Sequence, residues 1–180
     1  MYELIITEKP NASKMIADAL ADGKPVKKSV NRVPYYELKH KGKEIVVGCA
    51  VGHLYGLTET EKKKGFKYPT FDIKWAPTSE TNKGAEFSKK YLDMLKKLSK
   101  GADTFTVATD YDIEGEVIGL NIIRFACKRK DARRMKFSTL TKPDLVNSYE
   151  NASPHIDWGQ AEAGETRHNL TKIFSFLRVN

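Results

Sequence analysis

A chain of 180 residues with 40% hydrophobic content can bury one well-packed core with a short extension, which excludes disorder throughout. Its formal net charge of +8, from 31 Lys and Arg against 23 Asp and Glu, favours a polyanionic partner such as nucleic acid, although a solubilising surface accounts for the charge alone equally well. No apolar run reaches membrane-spanning length, no signal peptide precedes the first strand-like segment, and Cys49 and Cys127 lie unpaired in apolar stretches; the chain reads as a soluble intracellular protein without a disulfide framework or structural zinc.

The apolar run Leu4-Ile5-Ile6-Thr7 predicts a buried first strand, and Pro10 then suits the opening turn of a helix carrying Met15, Ile16, Ala19 and Leu20 at helical spacing. Asp22-Gly23-Lys24-Pro25 ends that helix. Tyr35 to Lys39 and Glu44 to Ala50 follow as strands joined by a Gly-containing turn at His40 to Lys43. Between Gly52 and Gly84 the periodicity fades around Pro69, Pro77, the run Glu61-Lys62-Lys63-Lys64 and scattered Phe66, Tyr68, Phe71 and Trp75. A structureless stretch of that length is uncommon inside a domain, so it is expected to be ordered by its aromatics or to contact a partner. Phe87, Tyr91, Leu95 and Leu98 mark an amphipathic helix closed by Gly101; a strand from Phe105 to Thr109 and a helix through Val117, Ile118, Ile122 and Phe125 come next. A basic segment from Lys128 to Arg134 leads to a short strand at Met135 to Ser138 and a helix opening at Lys142-Pro143-Asp144. Alternating strands and helices predict an α/β domain with a mainly parallel sheet flanked by helices.

Chemistry concentrates in Asp110-Tyr111-Asp112-Ile113-Glu114-Gly115-Glu116, four carboxylates in seven residues directly after a strand. If the strand ends near Asp110, then Asp110 and Asp112 point the same way and Glu114 opens the next helix, so three acidic groups are expected to converge on one volume. Carboxylates that close repel one another and call for a hard divalent cation such as Mg²⁺, which also recruits phosphate oxygens. A solvated turn before a helix with an acidic first turn would explain the segment alone. Glu8, ending the first strand, argues for a site, because neighbouring parallel strands meet at one carboxyl edge where open α/β folds bind ligands.

Glu8-Lys9-Pro10, Gly52-His53-Leu54, the run from Ala108 to Glu116, and Arg134 with Phe137-Ser138 together resemble the Toprim domain at the N-terminus of type IA DNA topoisomerases, most closely the archaeal enzymes and the related part of reverse gyrases. The resemblance extends from Tyr2 to about Leu170. It implies a Rossmann-like Toprim domain over residues 1–152, then at 153–180 the start of the next topoisomerase segment, divergent after about 170. It also implies Mg²⁺, with Mn²⁺ as a substitute, bound by Asp110, Asp112 and Glu114. Glu8 is the implied acid and base at the scissile phosphate, Lys9 and Arg134 hold phosphate and contact DNA, and His53 and Glu116 support the site. His40, His155 and His168 carry no signal. The implied partner is DNA, single-stranded by preference, in a cytoplasmic, nucleoid-associated setting.

In that family a tyrosine from a separate domain attacks the DNA phosphate to form a 5′-phosphotyrosine link, and none of the eight tyrosines here stands in a matching context. The 180 residues are therefore expected to be the metal-binding part of an isomerase, inactive alone and partnered by the gate and tyrosine domains of the same enzyme. A free-standing DNA-binding module and a Toprim nuclease using two metals and water are the alternatives.

Overall fold

The computed structural model describes residues 1–60 and 71–177, so the charged run at Glu61 to Lys64, with Phe66, Tyr68 and Pro69, lies outside the described residues. Strand β1 (Tyr2–Thr7) is buried from Glu3 onward. It sits at the centre of a six-stranded sheet of order β2-β3-β4-β1-β7-β8, in which β2 (Val26–Val30), β3 (Val33–His40), β4 (Lys43–Cys49), β7 (Ala102–Ala108) and β8 (Arg133–Arg134) complete the set. Strands β4, β1, β7 and β8 run parallel, and β3 and β2 extend the sheet antiparallel. Period two divides β1 between two cores: Leu4 and Ile6 join one, Ile5 the other. On the first face lie α3 (Ser88–Ser99) and α4 (Ile113–Asn121), contributing Leu92, Leu95, Leu98 and Ile118. On the second lie α1 (Pro10–Leu20) and α5 (Lys142–Glu150), with Ile16, Leu20, Leu145 and Tyr149. Pro10 opens α1 and Pro143 opens α5, where a missing N–H costs nothing.

Register sets the working edge. Thr7 is opposite Cys49 on one side and Ala108 on the other, so β1, β4 and β7 release their chains at the same level. This is the switch point: the chain leaving β1 turns toward β2, β3 and β4 on one flank, and the chain leaving β4 crosses to β7 on the other side of β1.

The structure adds strands that periodicity left unmarked and shifts one expected strand. Within the stretch after Gly52, β5 (Tyr55–Glu59) and β6 (Ile73–Pro77) form a separate antiparallel pair, followed by the short helix α2 (Thr78–Thr81). Tyr55 anchors it, its ring 5.1 Å from Phe125. The strand β2, Val-Lys-Lys-Ser-Val, carries no alternating apolar pattern because it is an exposed edge, where lysines discourage further pairing. The strand expected at Met135 to Ser138 forms instead at Arg133–Arg134, since Arg134 pairs with Val107 and also bridges to Ser153. Finally, α6 (Trp158–Leu177) packs along α4. Gly164 makes the approach close: an added Cβ would strike Val117 and Ile113.

Candidate active site

Glu8 and Lys9 leave β1 together. Lys9 occupies the position before α1 with an extended backbone, and Thr7 ties strand to helix by a 2.5 Å hydroxyl contact with Ser13. The chain leaving β4 is stitched alongside, as Ala50 N–H donates to the Thr7 carbonyl at 2.8 Å and Gly52 N–H to the Glu8 carbonyl at 3.2 Å. Val51 (φ 60°) and Gly52 (φ 85°) take left-handed conformations there, a turn that glycine accepts freely. This turn delivers His53 to the edge.

The acidic loop after β7 is shaped from beneath. Arg134, 0% exposed, donates from Nε to Glu116 Oε2 at 2.7 Å and from its terminal nitrogens to the carbonyls of Thr109 (3.0 Å), Asp110 (2.9 Å) and Met135 (2.8 Å). Glu116 is also fully buried and accepts from the Asp157 N–H at 2.8 Å. The expectation that Arg134 offers a fork to phosphate is corrected. A guanidinium engaged by backbone carbonyls and a buried carboxylate holds the loop in shape and faces no cleft. Thr109 adds a 2.7 Å bond to the Gly115 carbonyl, and Gly115 must lack a side chain because a Cβ would collide with the Asp110 carbonyl.

The carboxylates above this strut are separately engaged. Asp110 Oδ2 lies 2.5 Å from Lys9 Nζ, which is also 3.7 Å from Glu8 Oε1. Asp112 caps α4, accepting from the Gly115 N–H at 2.7 Å. Glu114 Oε2 is 2.9 Å from His53 Nε2 and 3.0 Å from His168 Nε2, while its Oε1 pairs with Arg167. Among the described residues, the trio whose donor atoms all lie within 4.8 Å of one another is His53, Glu114 and His168. Asp110, Asp112 and Glu114, expected to converge, are thus engaged separately: Asp110 by Lys9, Asp112 by the Gly115 N–H, and Glu114 in a mixed imidazole and carboxylate trio, the first two offering carboxylate oxygens alone. Either chemistry suits a divalent cation.

Charge states follow the surroundings. Burial first, then the Asp110 carboxylate, raises the Glu8 carboxyl above its ordinary value. The hydrogen bond to Asp110 raises Lys9. Burial, reinforced by neighbouring positive charge, lowers both His53 and His168 below the ordinary imidazole value. Lys9, Asp110, Asp112, exposed Tyr111 and the Phe137-Ser138-Thr139 segment line a cleft of about 490 Å³, open to an extended ligand.

Sequence reasoning missed Arg167 and His168. Nothing local links position 168 to position 53; only the packing of α6 on α4 does. Of the other histidines, His40 bonds the Leu20 carbonyl at 2.6 Å and Glu150 at 2.7 Å, a structural clip.

Compared with known proteins, the sequence model of the Toprim domain matches residues 3–140. The chain is 53% identical over 174 residues to DNA topoisomerase 1 of Methanocaldococcus jannaschii, covering 97% of this chain and 22% of that protein. It is 50% identical over 169 residues to DNA topoisomerase 1 of Pyrococcus furiosus, covering 93% and 16%. The full-length topoisomerase I of Thermotoga maritima is alike in fold, with a TM-score of 0.61 at 22% identity over 94% of this chain and 24% of that one. The chain therefore spans about a fifth of the length of these relatives. No helix among the described residues is long and apolar enough to cross a membrane.

Proposed function

This chain belongs to the Toprim domain family, and from that premise we propose that it forms the metal-binding portion of a type IA DNA topoisomerase active site, acting on single-stranded DNA with a tyrosine supplied from outside these 180 residues. The observation that carries the reading is the position of Lys9. Its ammonium bridges carboxylates from two strands, Glu8 after β1 and Asp110 after β7, so the edge already accommodates one cation shared between them. The oxygen-only donors Asp110 and Asp112, which line an open cleft, with Glu8 reached through Lys9, fit Mg²⁺ with Mn²⁺ as a substitute. Asp110 and Asp112 would hold the cation, and Glu114 would join them on leaving His53 and His168. Mg²⁺ bound there supplies positive charge beside the scissile phosphate.

The side chains do the rest. Lys9, 58% exposed, offers a point charge to a phosphate oxygen once released from Asp110. Glu8, raised by burial and by Asp110, keeps a proton to a higher pH than an ordinary glutamate. It gives that proton to the departing 3′-oxygen and takes it back on resealing. Arg134 and Glu116 act as positioning residues, fixing the carbonyls of Thr109 and Asp110. Residues from 153 onward begin the segment leading to the gate.

A graft tests this reading. The matching 174 residues replace their counterpart in the Methanocaldococcus enzyme, and relaxation of negatively supercoiled DNA is measured with Mg²⁺. The graft is expected to relax DNA and to lose at least about a hundredfold in rate on Glu8→Gln, in keeping with general acid–base catalysis. The 180-residue chain alone is expected to form no covalent adduct. A well-folded graft without activity, or rapid Glu8-dependent nicking by the isolated chain, overturns the proposal, and the second result would indicate a nuclease.

A further inference from the structure

We propose that His53, Glu114 and His168 form a second cation site, selective for a borderline transition metal of the Zn²⁺ class and distinct in its ligands from Asp110 and Asp112. Three separate elements deliver the donors: the turn after β4, the first turn of α4, and the middle of α6. Both imidazole Nε2 atoms face one carboxylate oxygen, at 2.9 and 3.0 Å, with all three donors within 4.8 Å of one another. A tetrahedral cation with bonds of ~2.0–2.1 Å has donor–donor edges of about 3.4 Å. The two imidazole–carboxylate distances, 2.9 and 3.0 Å, would lengthen by about half an ångström to reach that edge. Two imidazoles and one carboxylate suit Zn²⁺, Co²⁺ or Mn²⁺ better than Mg²⁺, which prefers oxygen donors.

The surroundings are those of a site with open positions. The three side chains are each about one-third exposed, at 35%, 34% and 30% for His53, Glu114 and His168, leaving room for water or an exogenous ligand. Trp75 of β6 flanks His168 with its ring centroid 5.6 Å away, and the two imidazoles lie 5.3 Å apart. Arg167 holds the other carboxylate oxygen of Glu114, orienting the ligand as outer partners do at metal centres. Its charge opposes the cation, so affinity falls below that of a closed structural zinc site. Coordination needs only that each imidazole proton move to Nδ1, freeing the Nε2 lone pairs. A bound cation would staple α6 to the edge of the sheet and hold Glu114 away from Asp110 and Asp112. The proposal does not depend on how Asp110 and Asp112 are used.

Co²⁺ titration of the chelator-treated chain provides the test. Visible d–d absorption of four- or five-coordinate strength should grow to a single equivalent and be bleached by Zn²⁺. His53→Gln and His168→Gln should each abolish the band and weaken Zn²⁺ binding, read by calorimetry, roughly tenfold or more, with the circular dichroism unchanged. Asp110→Asn/Asp112→Asn should keep the band. Absence of the band in the parent chain, its survival in His168→Gln, or its loss in the double Asp variant each overturns the proposal. Should His53→Gln unfold, His168→Gln on the half-exposed face of α6 decides alone. Mg²⁺ calorimetry on the double Asp variant separately reads the carboxylate site, so a failure there is distinguishable from a failure here.

Discussion

Arg134 shows how a residue type can signal one role and perform another. A guanidinium near an acidic loop in a basic protein reads as a phosphate fork, yet this one is 0% exposed and is matched to a fully buried Glu116. Such a pair is costly to desolvate, and removing one member is worse, because the remaining charge stays buried without compensation. Arg134→Met is expected to cost about 3–5 kcal/mol, measured by urea unfolding, while Arg134→Met with Glu116→Leu should regain much of that loss. The single variant should also weaken Mg²⁺ binding, since the Asp110 carbonyl loses its anchor. A fully stable Arg134→Met with impaired DNA binding would restore the phosphate-fork role.

Between elements, polar clips join what the apolar cores leave loose. Helix α5 ends at Glu150, whose carboxylate receives hydrogen bonds from Lys41 (2.8 Å) and His40 (2.7 Å) at the turn between β3 and β4. These bonds, Lys41 first, hold its carboxyl at about 2, below the ordinary 4.5. The folded value is the depressed one, so the stabilisation is fully present above pH of about 4.5 and is lost as the pH falls toward about 2. Glu150→Gln should flatten the stability profile across that window and leave the remainder of the curve parallel, as followed by thermal unfolding. The effect should shrink in high salt, because the pair faces water. An unchanged acid limb in Glu150→Gln would show that the clip contributes nothing. The contact of α6 with α4 combines both, Gly164 admitting the close approach to Val117 and Ile113 while Arg167 and His168 pair with Glu114.

For the molecule as a whole, a net charge of +8 coexists with an acidic edge, a distribution that draws in a polyanion while repelling it locally until Lys9 or a metal intervenes. Single-stranded DNA is therefore expected to bind modestly, with little sequence preference and with log K falling by about 0.7 per log unit of salt for each phosphate neutralised. Lys9→Ala should lower that slope by about one phosphate's share, measured by fluorescence anisotropy across a salt series. Binding indifferent to salt, or far tighter for duplex, would contradict this expectation.

Several features were legible in the chain itself because they rest on local physics. The apolar runs at Leu4 to Thr7, Glu44 to Ala50 and Phe105 to Thr109 mark the central parallel strands, since a strand covered on both faces must be apolar throughout. Pro10 and Pro143 mark helix starts, and the acid-rich run beginning at Asp110 marks a chemically loaded strand end. Strands β5 and β6 left no such trace, because a small two-stranded sheet takes its order from distant partners such as Phe125. The state of the carboxylates was likewise a tertiary matter. Which of Lys9, the Gly115 N–H or the two imidazoles meets each acid depends on how β1, α4 and α6 pack. Arg134 became a strut because β8 inserts beside β7, and His168 reached Glu114 because α6 lies along α4. Composition and periodicity carry information about which surfaces must be buried, but the pairing of polar groups far apart in the chain is decided only when those surfaces meet.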